Sequence, residues 1–230
     1  MMIDDLYQAA LAAMRHHLDE AQLGYAVDEG ELVIGSHRLG LSITFDGCVP
    51  QGGHVLAPLD IQIHVDGDNG DRFRVGALGV GDDASSAVQD AISEWHLLAV
   101  SPLLAALGAA VTLRRAPSRP QQLAEWDVFP GRVGIRGHLS AALRPEGAFY
   151  RSLMQRLTQV VCKWERPPRF TLRSIYMMAT CGPAINEIQA AVDGLLSEEL
   201  TGLLQRLPWP TGGDTYLYKQ LFIFRLQPLE

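Results

Sequence analysis

A chain of 230 residues is long for one core and short for two full domains. Its 47% apolar and 20% charged residues exclude a disordered chain. No apolar run in it approaches the ~20 residues that cross a bilayer.

The opening MMIDDLYQAA carries acids where a signal peptide carries a basic region. Three widely separated cysteines, Cys48, Cys162 and Cys181, suggest neither a disulfide framework nor a zinc site. The expectation is a cytoplasmic protein whose thiols are buried and reduced. The net charge of −7 is unevenly spread. Residues 1–108 carry 16 acids and 4 bases, a balance of −12, whereas residues 109–230 carry 10 acids and 15 bases, a balance of +5. Such a split marks a binding surface or two lobes that attract each other.

In chain order, Ile3, Leu6, Tyr7, Ala10, Met14 and Leu18 keep helical spacing over residues 3–22. Leu32 and Ile34 precede Gly35-Ser36, a pair suited to a tight hairpin. Alternation then predicts strands through Leu39, Leu41, Ile43 and Phe45, through Ile61, Ile63 and Val65, and through Phe73, Val75 and Ala77. Asp82 or Asp83 caps a helix carrying Val88, Ala91, Ile92 and Trp95 on one face. Ser101-Pro102 reads as the N-cap and first residue of a second, short helix ending near Gly108. The proline-bearing stretch RAPSRPQQ, residues 115–122, is the best boundary in the chain.

Beyond that boundary, Val133 and Ile135 predict a strand, residues 146–160 a helix, and residues 169–180 a long strand turning at Cys181-Gly182-Pro183. Residues 187–194 are open between helix and strand, with the alternation of Ile188, Ala190 and Val192 favouring strand. Ser197-Glu198-Glu199 opens a short helix to Leu207. YLYKQLFIFRL, residues 216–226, is apolar on both faces, as a covered central strand is. The class is α+β, mostly antiparallel sheets flanked by helices, in two packed lobes. The acidic lobe spans 1–115 and the basic lobe 122–230, with one continuous domain as the alternative.

A resemblance enters on two runs. GDDASSAVQDAISEWHLLAVSPLLAAL (81–107) is similar to an uncharacterised bacterial family, and LPWPTGGDTYLYKQLFIFRL (207–226) resembles that family's close. The resemblance covers most of the chain and is weakest over the N-terminal helix and the basic middle. It implies a strand at 187–194 and no activity.

Several motifs invite sharper readings. HVDGDNGDRF (64–73) resembles a calcium loop, but a loop begun at Asp66 needs a ligand at 70, glycine at 71 and glutamate at 77. Gly70, Asp71 and Ala77 stand there instead. A hairpin of odd loop length fits better, and it sets Asp60, Gln62 and His64 on one face with Arg72 and Arg74. Gly79-x-Gly81-x-x-Ala84 resembles a dinucleotide fingerprint, yet Asp82 and Asp83 fill the helix start where a pyrophosphate would sit. His16 and His17 occupy adjacent faces of one helix and cannot share a metal. His96 flanks the core, and His54 and His138 sit in loops near glycines. Neither G-x-S-x-G, H-E-x-x-H nor C-x-x-C occurs.

The remaining signal is a basic middle segment. Arg114 to Arg173 holds 12 bases against 4 acids, with interleaved aromatics. Arginine beside aromatic rings suits nucleic acid, but it equally suits protein interfaces, and the chain as a whole is acidic. The reading is a non-catalytic protein-binding factor of accessory, chaperone-like or immunity type. Its contact surface would involve Arg132, Arg136, Arg169, Arg173, Trp126 and Trp164. Another protein is the expected partner; nucleic acid is disfavoured, and cofactor, metal and membrane are not expected. A small-molecule ligand stays open. The alternative is a hydrolase-like enzyme with a site between the lobes.

Overall fold

The computed structural model describes residues 3–20, 22–28, 31–35, 37–66, 71–111, 121–123, 126–130, 147–165, 167, 171–183, 185–211 and 216–226. The side chains of residues 3, 66, 71, 72, 109–111, 121–123, 126–130, 185, 186 and 216 are not described. The chain divides into two units, Met1–Pro120 and Gln121–Glu230. Both are built from antiparallel strands with helices, an α+β architecture.

The first unit opens with α1 (Ile3–Glu20), which buries Leu6, Ala10, Leu11, Met14 and Leu18 along one stripe. Six strands follow: β1 (Ala26–Asp28), β2 (Glu31–Ile34), β3 (His37–Thr44), β4 (Val49–Gln51), β5 (His54–Asp66) and β6 (Asp71–Gly81). The pairing of Ile34 with His37 closes the expected hairpin, and Gly35 takes φ +62° there. β6 lines one edge of β5 from Val55 to Val65, so β3 and β4 must share the other edge. Val65 pairs with Asp71, which gives the odd-length connection that the alternation requires. The turn at 67–70 lies outside the described residues. Ile61, Ile63, Val65, Phe73, Val75 and Ala77 are buried on the inner face. On the outer face the Arg74 Nε donates to Asp60 Oδ2 at 2.8 Å, diagonally across the two strands. The cover over β3 is complete only at Leu39; Leu41, Ile43 and Phe45 are half-buried.

α2 (Ala84–Trp95) begins where Asp83 and Ser86 form a reciprocal capping box. The Ser86 backbone N–H holds the Asp83 carboxyl below its ordinary range. Gly79 and Gly81 have a packing role. A Cβ on Gly79 would lie 1.7 Å from the Ala87 carbonyl oxygen, and one on Gly81 would lie 2.4 Å from the Ala87 nitrogen. These glycines let the helix backbone rest on the strand, so the dinucleotide-like spacing has a structural origin. From α2, Asp90 Oδ2 accepts from the Val80 N–H at 2.9 Å and Glu94 Oε2 from the Leu78 N–H at 2.6 Å.

The expected break at Ser101 does not occur. A π-turn (His96–Val100) joins α2 directly to α3 (Ser101–Val111), and the Ser101 N–H bonds the His96 carbonyl five residues back. Pro102 lacks an N–H and would clash with a carbonyl in a regular helix interior. The wider turn before it absorbs that misfit. The helix therefore runs unbroken from Ala84 to Val111, and its stretch Ala84–Gly108 is long and apolar enough to cross a membrane by length and composition. It is not a continuous apolar run, since Gln89, Asp90, Glu94 and His96 interrupt it. In this fold 61% of its most apolar window is buried inside the protein, as in a core helix.

In the second unit the sheet order is β11-β10-β9-β12-β8-β7. Its strands are β7 (Gln121–Leu123), β8 (Trp126–Pro130), β9 (Thr171–Cys181), β10 (Ile185–Val192), β11 (Leu195–Leu196) and β12 (Tyr216–Leu226). β12 lies between β9 and β8, and Tyr218 through Leu226 are all buried, the central position its two apolar faces require. Of residues 187–194, those to Val192 hold a strand, as expected, and the last two form a turn; the strand expected at Val133 and Ile135 lies outside the described residues. α4 (Ala148–Val161) and α5 (Glu198–Gln205) join a core with Ile175, Met177, Phe222 and Phe224. Ser197 caps α5 through the Leu200 N–H. Trp209 ends this segment by donating its Nε1–H to the Leu204 carbonyl at 2.8 Å.

Of the three thiols only Cys181 is buried; Cys48 is half-buried and Cys162 is exposed. Cys162 is the C-cap of α4, one residue past Val161, the last fully buried residue of the helix, and its side chain is exposed.

Replacing Gly79 with alanine forces the helix off the strand and is expected to cost at least ~2 kcal/mol. Denaturant midpoints measure this, and a Gly79→Ala midpoint equal to wild type contradicts the close approach.

Candidate protein-contact surface

Two of the residues singled out in the basic segment meet each other. The Arg173 guanidinium lies 4.0 Å from the centroid of Trp164, and Trp164 sets its edge against Phe224 at 5.4 Å. The Arg173 Nε also donates to Asp193 Oδ2 at 2.8 Å, while Asp193 Oδ1 accepts from the Ser174 N–H at 2.8 Å. One carboxylate thus ties the β10–β11 turn to β9, and the arginine covers the tryptophan. Of Trp126, only the backbone is described, paired with Leu226 at the end of β8. Arg132, Arg136 and Arg169 lie outside the described residues.

The turn itself is Asp193-Gly194, both at positive φ, 49° and 79°. Two such residues favour a tight hairpin whose twist matches its strands. It delivers Leu195 and Leu196 to the sheet edge, 75% and 79% exposed. Leu195 pairs with Val192 and Leu196 with Ala191, so the two side chains project from opposite faces of the edge strand. Glu198 and Glu199 follow on the exposed start of α5, with Glu199 paired to Lys163. The Asp-Gly turn followed by two leucines and a helix cap was a signal available in the sequence.

Residues that bear chemistry cluster elsewhere, in the first unit. Ser42 Oγ and His64 Nε2 are 3.1 Å apart on the exposed sheet face. A nucleophile beside a base needs a third group to orient the base. Among the described residues no carboxylate reaches ion-pair distance of His64; Glu31 instead leans over Gly40, where a Cβ would meet its Oε1 at 3.2 Å. His17 of α1 and His96 of the π-turn set their rings at 5.1 Å and 89°. Burial lowers the pKa of both, and each is lowered further by nearby histidines, while Glu20 acts in the opposite sense. His16 is exposed and pairs with Glu20 at 3.3 Å. His54 starts β5 and faces Asp82 at 3.6 Å. His138 is outside the described residues. Among the described residues no group of three or more histidine, cysteine or acidic side chains could hold a metal ion.

Asp193 sits at positive φ and satisfies two donors, so Asp193→Ala is expected to lower stability by ~1–3 kcal/mol. Asp193→Asn, which tolerates the same backbone and keeps an acceptor, should lose less. Equal melting temperatures for wild type and Asp193→Ala would remove the carboxylate from its assigned role.

A protein family of unknown function (DUF6348) matches residues 27–226, beginning after α1 and including the basic middle segment. No curated protein and no solved structure matches the chain. With the match spanning both sheets, the chain belongs to that family of unknown function.

Proposed function

We propose that the chain is a non-catalytic protein-binding factor of a bacterial cytoplasm, accessory, chaperone-like or immunity-type in role, and that the β10–β11 hairpin is its contact point. The observation that carries this reading is the exposure of Leu195 and Leu196 on a two-residue edge strand. Large apolar side chains held rigidly at a sheet edge suit a partner's apolar pocket. An edge strand also offers backbone groups to an added strand. Arg132, Arg136 and Arg169 extend the candidate surface in sequence. Arg173 and Trp164 support it from beneath, since they hold the turn that presents the leucines.

A hydrolase-like reading rests on the Ser42–His64 contact. It is the weaker one, because the pair is exposed and His64 has no orienting carboxylate among the described residues. The buried hydroxyl of Tyr150 has its pKa pushed up to about 12 by burial and stays protonated at neutral pH.

The test is a pull-down from the native host with wild type and with Leu195→Asp combined with Leu196→Asp. The expected outcome is one stoichiometric partner retained by wild type and lost by the variant, at unchanged melting temperature. A partner held equally by both proteins removes the hairpin from the account. Labelling of Ser42 by a fluorophosphonate probe, abolished in Ser42→Ala, would promote the hydrolase reading.

A further inference from the structure

The last turn of α1 meets the π-turn through two histidine rings; among the described residues neither ring lies within ion-pair distance of a carboxylate, and Glu20 favours their protonated forms only from farther off. His96 Nε2 is buried without a hydrogen-bond partner, and His17 presses its ring edgewise on it at 5.1 Å. The elements packed there supply little compensation. On α1, His16 adds a further basic group, and Glu20 is paired with it. On α2, Asp90 and Glu94 are bound to the Val80 and Leu78 amides of β6. On β3, His37 lies on the inner face and Arg38 on the outer, where Arg38 pairs with Asp28. The rest of the π-turn and all of α3 carry no titratable side chain.

We propose that the His17–His96 contact is an acid-sensitive latch, in which protonation of both rings parts the last turn of α1 from the π-turn while the sheet stays folded. The opening is confined to the last turn, where it must uncover the buried Leu18, because Leu6, Ala10 and Met14 anchor the rest of α1 in the core with no exposed surface. The π-turn is the element able to yield, since its wide hydrogen-bonded ring is less stable than a regular helical turn. α1 lies before the span matched by the family, residues 27–226.

Burial lowers the proton affinity of His17, His37 and His96 relative to the unfolded chain. Their contribution to stability is therefore intact above the ordinary histidine value of 6.5 and is lost as pH falls below it.

The experiment is residue-resolved hydrogen exchange, read as protection factors at about pH 7.5 and about pH 5.5, alongside NMR titration of the ring protons. The expected result is a fall of about tenfold or more at residues 17–20 and 97–101, with β5 amides unchanged. Both rings should titrate below 6.5. His17→Gln, and independently His96→Phe, should abolish the fall. The latch is overturned if the two segments keep their protection, if β5 loses protection with them, or if both folded variants respond as wild type does.

Discussion

Two carboxylates on one helix close the open edge of the first sheet. Asp90 and Glu94 take the N–H groups of Val80 and Leu78, which point away from β5. An uncovered strand edge invites pairing with other chains, and a charge-assisted bond from a part-buried carboxylate is about twice as strong as a neutral one. The helix reaches the edge only because Gly79 and Gly81 remove two side chains from its path. The Asp83 cap fixes where the helix starts, and hence which residues meet the strand. The π-turn then lets the same helix pass Pro102 and continue into the core. Remove the close approach and the cap, the carboxylate contacts and the helix course lose their common reason.

The second unit solves a related problem at a hairpin. Its central strand, β12, is buried through Phe224 and Leu226, and the end of the core beside it is covered by Trp164 with Arg173 above the ring. Asp193 holds that arginine and the β9 backbone together. What this arrangement does not cover is the edge strand it positions. Leu195 and Leu196 remain in solvent on a turn held by three hydrogen-bonding groups, so their exposure is built in by rigid neighbours. A preorganised apolar tip loses less freedom on binding than a mobile one.

Local pattern made much of this legible. Period-two alternation placed the long strands and even the parity of the β5–β6 connection, because a one-residue slip would turn every side chain over. Ser197 and Asp83 announced their helices through cap chemistry. The misreadings arose where a local rule met a tertiary constraint. Ser101-Pro102 obeys the rule for a helix start, but a π-turn made the proline tolerable inside a helix. Cys162 looked apolar by its neighbours, yet it falls one residue beyond the core. Two-residue β11 is too short for periodicity to register, although Asp193-Gly194 marks its turn. Pairings across long separations, such as His17 with His96 or Ser42 with His64, leave no trace in spacing. Arg173 and Trp164 were conspicuous as residue types; that they face each other was not readable.

Amide hydrogen exchange along β6 tests the edge closure most directly. Arg74, Gly76, Leu78 and Val80 all turn their N–H groups away from β5, because the register is unbroken along the strand. Leu78 and Val80 should exchange slowly, protected by Glu94 and Asp90, while Arg74 and Gly76 exchange as an open edge does. Replacing Asp90 with asparagine and Glu94 with glutamine should narrow that difference. Equal exchange at all four amides in the wild-type protein would contradict the closure and with it the reason given for the two glycines.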